Sequence, residues 1–388
     1  MIMLRLSLIF MIMSTNIYAV WNGAEVELYP NIEASSRHWR TVVDEVPNSE
    51  DYLSIGVKAN IDLDLWRIIL DHRSSCVSTI GVESKNICET DLIEGFINLE
   101  TDYWNAILGR YSYRIGTAVS TNPSNPIRAG MRNEQGPFAI EKGADLFQLS
   151  RFLNDDISLG FLTVYEKGQN ELVPYITVDY SGEYVQSRFI LGSDFYGQSM
   201  SATPFDSLVL YLDYNIHRGK KEDSYFSDGV FGSRISIPFL PMTLSLEYIR
   251  NAHGLANGET DDHLYDLDIG MGSVVTSERY DYYNHKKPGS EDNFSWGANQ
   301  WLSRDLIFMN IVTHFQSNWA PILRGFYSLS DSSSLLIMGT QFVHQQDGNQ
   351  FSLSVENESY RGDRHSEYGW VASTILRYST KLTVGVTF

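Results

Sequence analysis

From residue 53 to 63 every odd position is apolar (Leu53, Ile55, Val57, Ala59, Ile61, Leu63) and every even one is polar or small, Lys58 and Asp62 among them. Successive side chains of a strand point to opposite faces, so such a run has one face for oil and one for water. The period recurs at 208–216, where Leu208, Leu210, Leu212, Tyr214 and Ile216 oppose Asp213 and Asn215, and again at 157–161, 242–248 and 351–356. Lys58, Arg67, Asp71, Glu94, Asp179, Asp213 and Glu247 fall within strands of this kind. A dry sandwich core would exclude those charges, whereas the wet interior of a closed barrel accepts them. The expected fold is all-β, a single closed antiparallel transmembrane β-barrel. At about 21 residues per strand with its connection, it would have about 16 to 18 strands.

Mean hydropathy, at −0.21, resembles that of a soluble protein. In a barrel that average is uninformative, because lipid-facing and lumen-facing residues cancel. Aromatic residues make up 13% of the chain, which suits interfacial girdles, and Trp370 and Tyr378 bracket an apolar stretch as two girdles would. A net charge of −19 excludes nucleic acid as a partner, since phosphate needs a basic surface.

Residues 1–19 read as a signal peptide: a basic start through Arg5, a short apolar run at 6–13 and a small-residue site at Ala19. Residues 20–388 then form the barrel. Alternation starts at 24–28, which leaves no room for a plug. Cys76 and Cys88, with eleven residues between them, are expected to form a loop-stapling disulfide worth about 2–3 kcal/mol in an oxidising compartment. Short turns are expected at 101–102, 153–156, 181–183, 239–241, 303–305 and 331–334. Long polar connections are expected at 35–50, 76–91, 111–143, 218–228, 252–262 and 278–294.

At the end of the chain Leu382, Val384, Val386 and Phe388 alternate with Lys381, Thr383, Gly385 and Thr387. This resembles the Gram-negative outer-membrane barrel family, in which a final Phe388 would be the signal read by the barrel-assembly machinery. The segment 108–150 contains Gly109-Arg110, Arg114-Ile115-Gly116, Asn122-Pro123-Ser124-Asn125-Pro126 and Lys142-Gly143-Ala144-Asp145. It resembles porin-like barrels of the alginate-export kind, with Ile115 where such barrels often carry Trp. The resemblance implies a bacterial outer-membrane channel for passive passage of small hydrophilic solutes, in contact with outer-membrane lipid and lipopolysaccharide. It implies no cofactor and no enzymatic activity, and it allows an oligomer. The alternatives are a closed barrel with a structural, receptor or assembly role, or an outer-membrane hydrolase.

A connection of some thirty residues between short strands has the length of a functional loop. It either folds into the lumen as a constriction or stays outside as a solvated loop. If inside, Arg110, Arg114, Arg128 and Arg132 would face Glu134, Glu141 and Asp145 across a narrow passage and filter solutes by charge and dipole. Strict alternation from Trp104 places Arg110 on the lipid side unless the strand ends or bulges first. The acidic stretch with His253, Glu259, Asp261, Asp262, His263 and Asp266 lacks calcium-loop spacing and reads as solvated, so no metal site is expected. Neither a Gly-x-Ser-x-Gly elbow nor a phosphate loop occurs, and no catalytic residue is assigned.

Overall fold

The computed structural model describes residues 17–21, 24–41, 49–80, 85–113, 116–126, 130–131, 141–166, 170–218, 225–237, 239–252, 303–313, 318–346, 349–362, 366, 368 and 376–387. Alternating runs become strands because β-branched and aromatic side chains suit a pleated, half-covered surface. In chain order the barrel strands are β1 (Ala24–Thr41), β2 (Ser49–Leu63), β3 (Trp66–Ile80), β4 (Lys85–Glu100), β5 (Trp104–Tyr111) and β6 (Ala144–Phe152). There follow β7 (Ile157–Glu166), β8 (Glu171–Ser181), β9 (Val185–Leu191), β10 (Phe195–Phe205), β11 (Leu208–Arg218) and β12 (Gly229–Ile237). The last six are β13 (Met242–Arg250), β14 (Asp305–Thr313), β15 (Trp319–Ser328), β16 (Ser334–Gln346), β17 (Asn349–Arg361) and β18 (Leu376–Thr387).

Each strand pairs antiparallel with its neighbour in sequence, and β18 returns to β1 from Asn31↔Thr387 to Thr41↔Leu376. The sheet is therefore a closed eighteen-strand barrel, at the upper end of the expected range. Closure removes the free edges that a bilayer would not tolerate.

The outer face carries the apolar belt. Leu108 and Phe231 are each 59% exposed, and Leu53, Val57, Phe161 and Leu246 also face outward. Trp66, Tyr103, Trp104, Phe152, Tyr184 and Phe239 are exposed at the short-turn end, the position of an interfacial girdle. Trp370 lies outside the described residues, as does the side chain of Tyr378.

Strand length is uneven. β1 to β4 run 15 to 18 residues, whereas β5 to β14 run 7 to 11. A tilted strand needs only about 9 to 11 residues to cross the bilayer, so one side of the barrel projects beyond it. The projection is at the long-connection end, because the outer face of β3 changes from Trp66 and Leu70 to His72, Ser74 and Cys76 along that direction.

This projection corrects the expected loops. Residues 35–41 and 49–50 belong to β1 and β2, and the hairpin of β3 and β4 takes up all of 76–91 except 81–84. Out of the lipid both faces meet water, so the alternation fades although the ladder continues. Residues 303–305 are likewise no turn, because Ser303 and Arg304 end a connection from β13 and Asp305 opens β14. The connection at 329–333, where a short turn was expected at 331–334, lies at the same end as the long loops.

Candidate functional site

Lumen-facing side chains come from every second residue of each strand, and on the β5–β15 side many are apolar. Ile107, Leu146, Leu162, Ile190 and Phe195 form one buried cluster, and Val230, Ile249, Leu306 and Phe308 form another. Such side chains in a wet lumen must be covered, and the connection after β5 covers them. Tyr113 packs into the first cluster, and Ala118 and Tyr368 pack on the second. Burial pushes the Tyr113 phenol up to about 12, opposed by the Arg188 guanidinium, which stands 5.9 Å over its ring. Arg188 is itself ion-paired with Asp179 on β8.

Residues 116–126 thus lie inside the barrel, held by polar groups of β11 and β13. The Glu247 carboxylate accepts hydrogen bonds from the backbone N–H of Val119 at 2.5 Å and of Ser120 at 3.0 Å. Tyr211 donates to the same carboxylate at 2.6 Å. Asp213 Oδ1 accepts from Ser124 N at 2.7 Å, and Asn215 Nδ2 donates to the Pro123 carbonyl at 2.7 Å. Charge-assisted bonds of this kind contribute about 1.5–3 kcal/mol each. Asp213 and Asn215 have no exposed surface, and Glu247 is 1% exposed. Gly197 permits the close approach, since a Cβ there would stand 2.6 Å from the Ser124 carbonyl oxygen.

At the long-connection end of the same wall, His217 Nδ1 lies 3.0 Å from Asn215 Oδ1 and 4.0 Å from Asp228 Oδ2. Asp228 Oδ1 accepts from Ala252 N at 2.7 Å. Burial raises the Asp228 carboxyl to about 6, against the lowering effect of its hydrogen bonds from Ala252 and Asn215.

The arc from β16 through β18 to β3 has a different character. A cavity of about 550 Å³ runs along its inner face, bordered by Glu33, Lys58, Asp71 and Arg73 on one flank and by Gln350 and Ser352 on the other. Arg73 pairs with Asp71 through Nη2–Oδ2 at 2.9 Å and Nε–Oδ1 at 3.1 Å. Lys58 is level with Asp71 in the ladder. Among the described residues, the inward segment therefore fills the β5–β15 side of the lumen, and the β16–β3 arc borders a cavity with polar walls.

Arg110 and Asp145 do not oppose each other across this space. They sit in register on β5 and β6, joined by Nε–Oδ1 and Nη2–Oδ2 bonds of 2.8 Å each. Arg110 also donates to the Leu92 carbonyl at 3.2 Å. Both are in phase with the outward Leu108 and Phe147, so the pair lies on the outer face over Gly95, as strict alternation requires. Glu141 is placed only through its backbone, which pairs with Met131. Arg114, Arg128, Arg132, Glu134, Phe388 and the acidic stretch at 253–266 lie outside the described residues. Cys76 and Cys88 are disulfide-bonded, but as directly opposed residues of β3 and β4 rather than as a loop staple. Among the described residues no three His, Cys, Asp or Glu gather in a metal-binding group. Asp213 and Glu247 were legible as lumenal charges, but nothing in the sequence showed that they bind the backbone of a segment some 90 to 130 residues away.

No family model and no curated protein matches the chain. Solved structures do. Pseudomonas aeruginosa OccK5 (OpdH) superposes with a TM-score of 0.55 at 9% identity, covering 94% of this chain and 98% of its own. Acinetobacter baumannii OccAB4 gives 0.55 at 10% identity over 94% and 98%. A BenF-like porin from Pseudomonas fluorescens Pf-5 gives 0.55 at 7% identity over 95% and 100%. At such identities the likeness is one of fold.

Proposed function

We propose that this chain is a passive outer-membrane channel for small hydrophilic solutes, of the Occ and BenF-like porin type. That type refines the broader porin-like resemblance carried by the 108–150 segment. One observation carries the reading: an eighteen-strand barrel keeps a charged cavity along β16 to β3 while an inward segment fills the facing side. An inward loop that narrows a lumen without sealing it gives a size limit, and charged walls give selectivity. The reading includes removal of residues 1–19 on export, although Ile17–Trp21 pairs with β1 in the full chain. It also gives the remaining charges of the connection, Arg114, Arg128, Arg132, Glu134 and Glu141, the role of lining its narrowest part. Arg110 and Asp145 are released from that role by their ion pair on the outer face.

Purified protein in planar lipid bilayers tests the proposal. Discrete ion-current steps are expected, with a reversal potential displaced weakly toward cations by the net charge of −19. A folded, inserted protein that passes no current above background defeats the channel reading and leaves a closed barrel with a receptor or assembly role.

A further inference from the structure

Near the long-connection end, five outward residues share one ladder row: Gln198 on β10, Tyr214 on β11, Gly229 on β12, Arg250 on β13 and Asp305 on β14. Their outward facing follows from alternation, since Val230, Ile249 and Leu306 beside them are buried in a lumenal cluster. The next outward row toward the short turns reads Met200, Leu212, Phe231, Tyr248 and Ile307. The outer wall thus changes from apolar to polar within two residues of each strand, which marks the level where acyl chains give way to lipid head groups. Long connections lie on the extracellular side of such barrels, so these head groups belong to the outer leaflet.

Arg250 is half-exposed and bonds to Asp305 through Nη1 alone, at 2.8 Å to Oδ1 and 2.9 Å to Oδ2. Its Nε and Nη2 bond to no carboxylate or carbonyl among the described residues. Asp305 stands on one side of it in the row and Gly229 on the other. A Cβ on Gly229 would meet nothing closer than 3.6 Å, so a notch opens beside the guanidinium. Across the notch, Tyr214 donates to Gln198 Oε1 at 2.8 Å and Tyr196 donates to the same oxygen at 3.2 Å. Outward Arg110 differs, because Asp145 takes its Nε and Nη2 and the Leu92 carbonyl takes its Nη1.

A guanidinium with an open edge at the head-group level matches the two oxygens of a phosphate, and hydroxyl and amide groups beside it suit a sugar. The apolar rows below suit acyl chains. We propose that the notch at Gly229 seats a phosphate of lipid A, the phosphorylated glycolipid of the outer leaflet, on Arg250, with its acyl chains along Leu212, Phe231 and Leu246. The seat is independent of the channel reading, because it lies outside the lumen and its test reads lipid binding rather than current.

The test titrates the purified full-length protein in detergent with lipid A and reads the complex by native mass spectrometry. Saturable binding is expected. Dephosphorylating the lipid, Arg250→Ala and Gly229→Leu are each expected to weaken it at least tenfold, whereas Arg110→Ala leaves it unchanged. Inorganic phosphate at the same concentration is not expected to compete, because it lacks the acyl chains. Gly229→Leu decides the matter if Arg250→Ala, which leaves Asp305 without its partner, does not fold. The proposal is overturned if lipid A does not bind, or if binding is undiminished in the dephosphorylated lipid or in the folded Gly229→Leu protein. It is equally overturned if inorganic phosphate displaces the lipid, which would make the notch a site for free anions, or if Arg110→Ala loses as much, which would make the attraction one of net charge.

Discussion

Glu247 is where one side chain has the greatest leverage on the lumen, because both its oxygens hold the backbone of the inward segment. In Glu247→Ala two N–H groups and the Tyr211 hydroxyl lose their acceptor together. The expected result is a loss of about 3 kcal/mol in thermal or denaturant unfolding, together with larger and noisier single-channel steps. Unchanged steps would show that the segment is held by its apolar contacts alone. Glycines give a matched pair for the same question. Gly197→Ala drives a Cβ into the Ser124 carbonyl and is expected to cost about 1–3 kcal/mol, whereas Gly325→Ala meets nothing closer than 3.8 Å and should be nearly neutral by the same unfolding measurement. Asp228 supplies a pH signature. Its carboxyl is raised from 3.8 to about 6 in the folded state, so the folded protein holds that proton more tightly than the unfolded chain. Stability from this group is full below about pH 4 and is lost as pH rises through about 6. Thermal scans between pH 4 and 7 should show this decline in the unaltered protein and a flatter profile in Asp228→Asn.

At the scale of the element, legibility followed solvent contact. β2 from Leu53 onward and β11 were readable residue by residue because lipid faces one side of them and lumen the other. β1, β3 and β4 were readable only in their lower halves. Above the bilayer Ser36, Ser74 and Ser78 sit in the same ladder as the membrane residues, yet neither face needs to be apolar, so the sequence there looks like loop. Cys76 and Cys88 were paired correctly but assigned to a loop for the same reason. Their true place, on opposed residues of the projecting hairpin, sets a specific expectation. Reduction removes about 3 kcal/mol of restraint on a short closed loop, and that loss should stay local. Hydrogen exchange should quicken at 73–91 while β5 to β14 and the bilayer conductance remain as before. Loss of the whole barrel on reduction would instead make this hairpin a nucleus for assembly.

The barrel as a whole combines a closed wall that stands by itself with a filling that sets what passes. β5 and β6 pair directly from Trp104↔Arg151 to Tyr111↔Ala144, so the wall does not need the connection between them. The filling does need the wall, since Leu162, Ile190 and Leu306 have no exposed surface only while the connection and Tyr368 lie over them. This asymmetry was invisible in sequence. Apolar residues on a lumenal face look the same whether a loop or water will meet them, whereas the outward place of Arg110 was legible in the alternation from Trp104. Replacing residues 113–142 with a short Gly-Ser turn separates the two parts. Closure should persist, seen as barrel migration that shifts on heating in detergent gels, at reduced stability because lumenal apolar surface is newly wetted. Conductance should rise and larger neutral polyethylene glycols should enter, because the cavity along β16 to β3 would merge with the space the segment had filled. An unaltered size limit in the shortened protein would place the narrowest point on the β16–β3 wall itself, among Glu33, Lys58, Asp71 and Arg73.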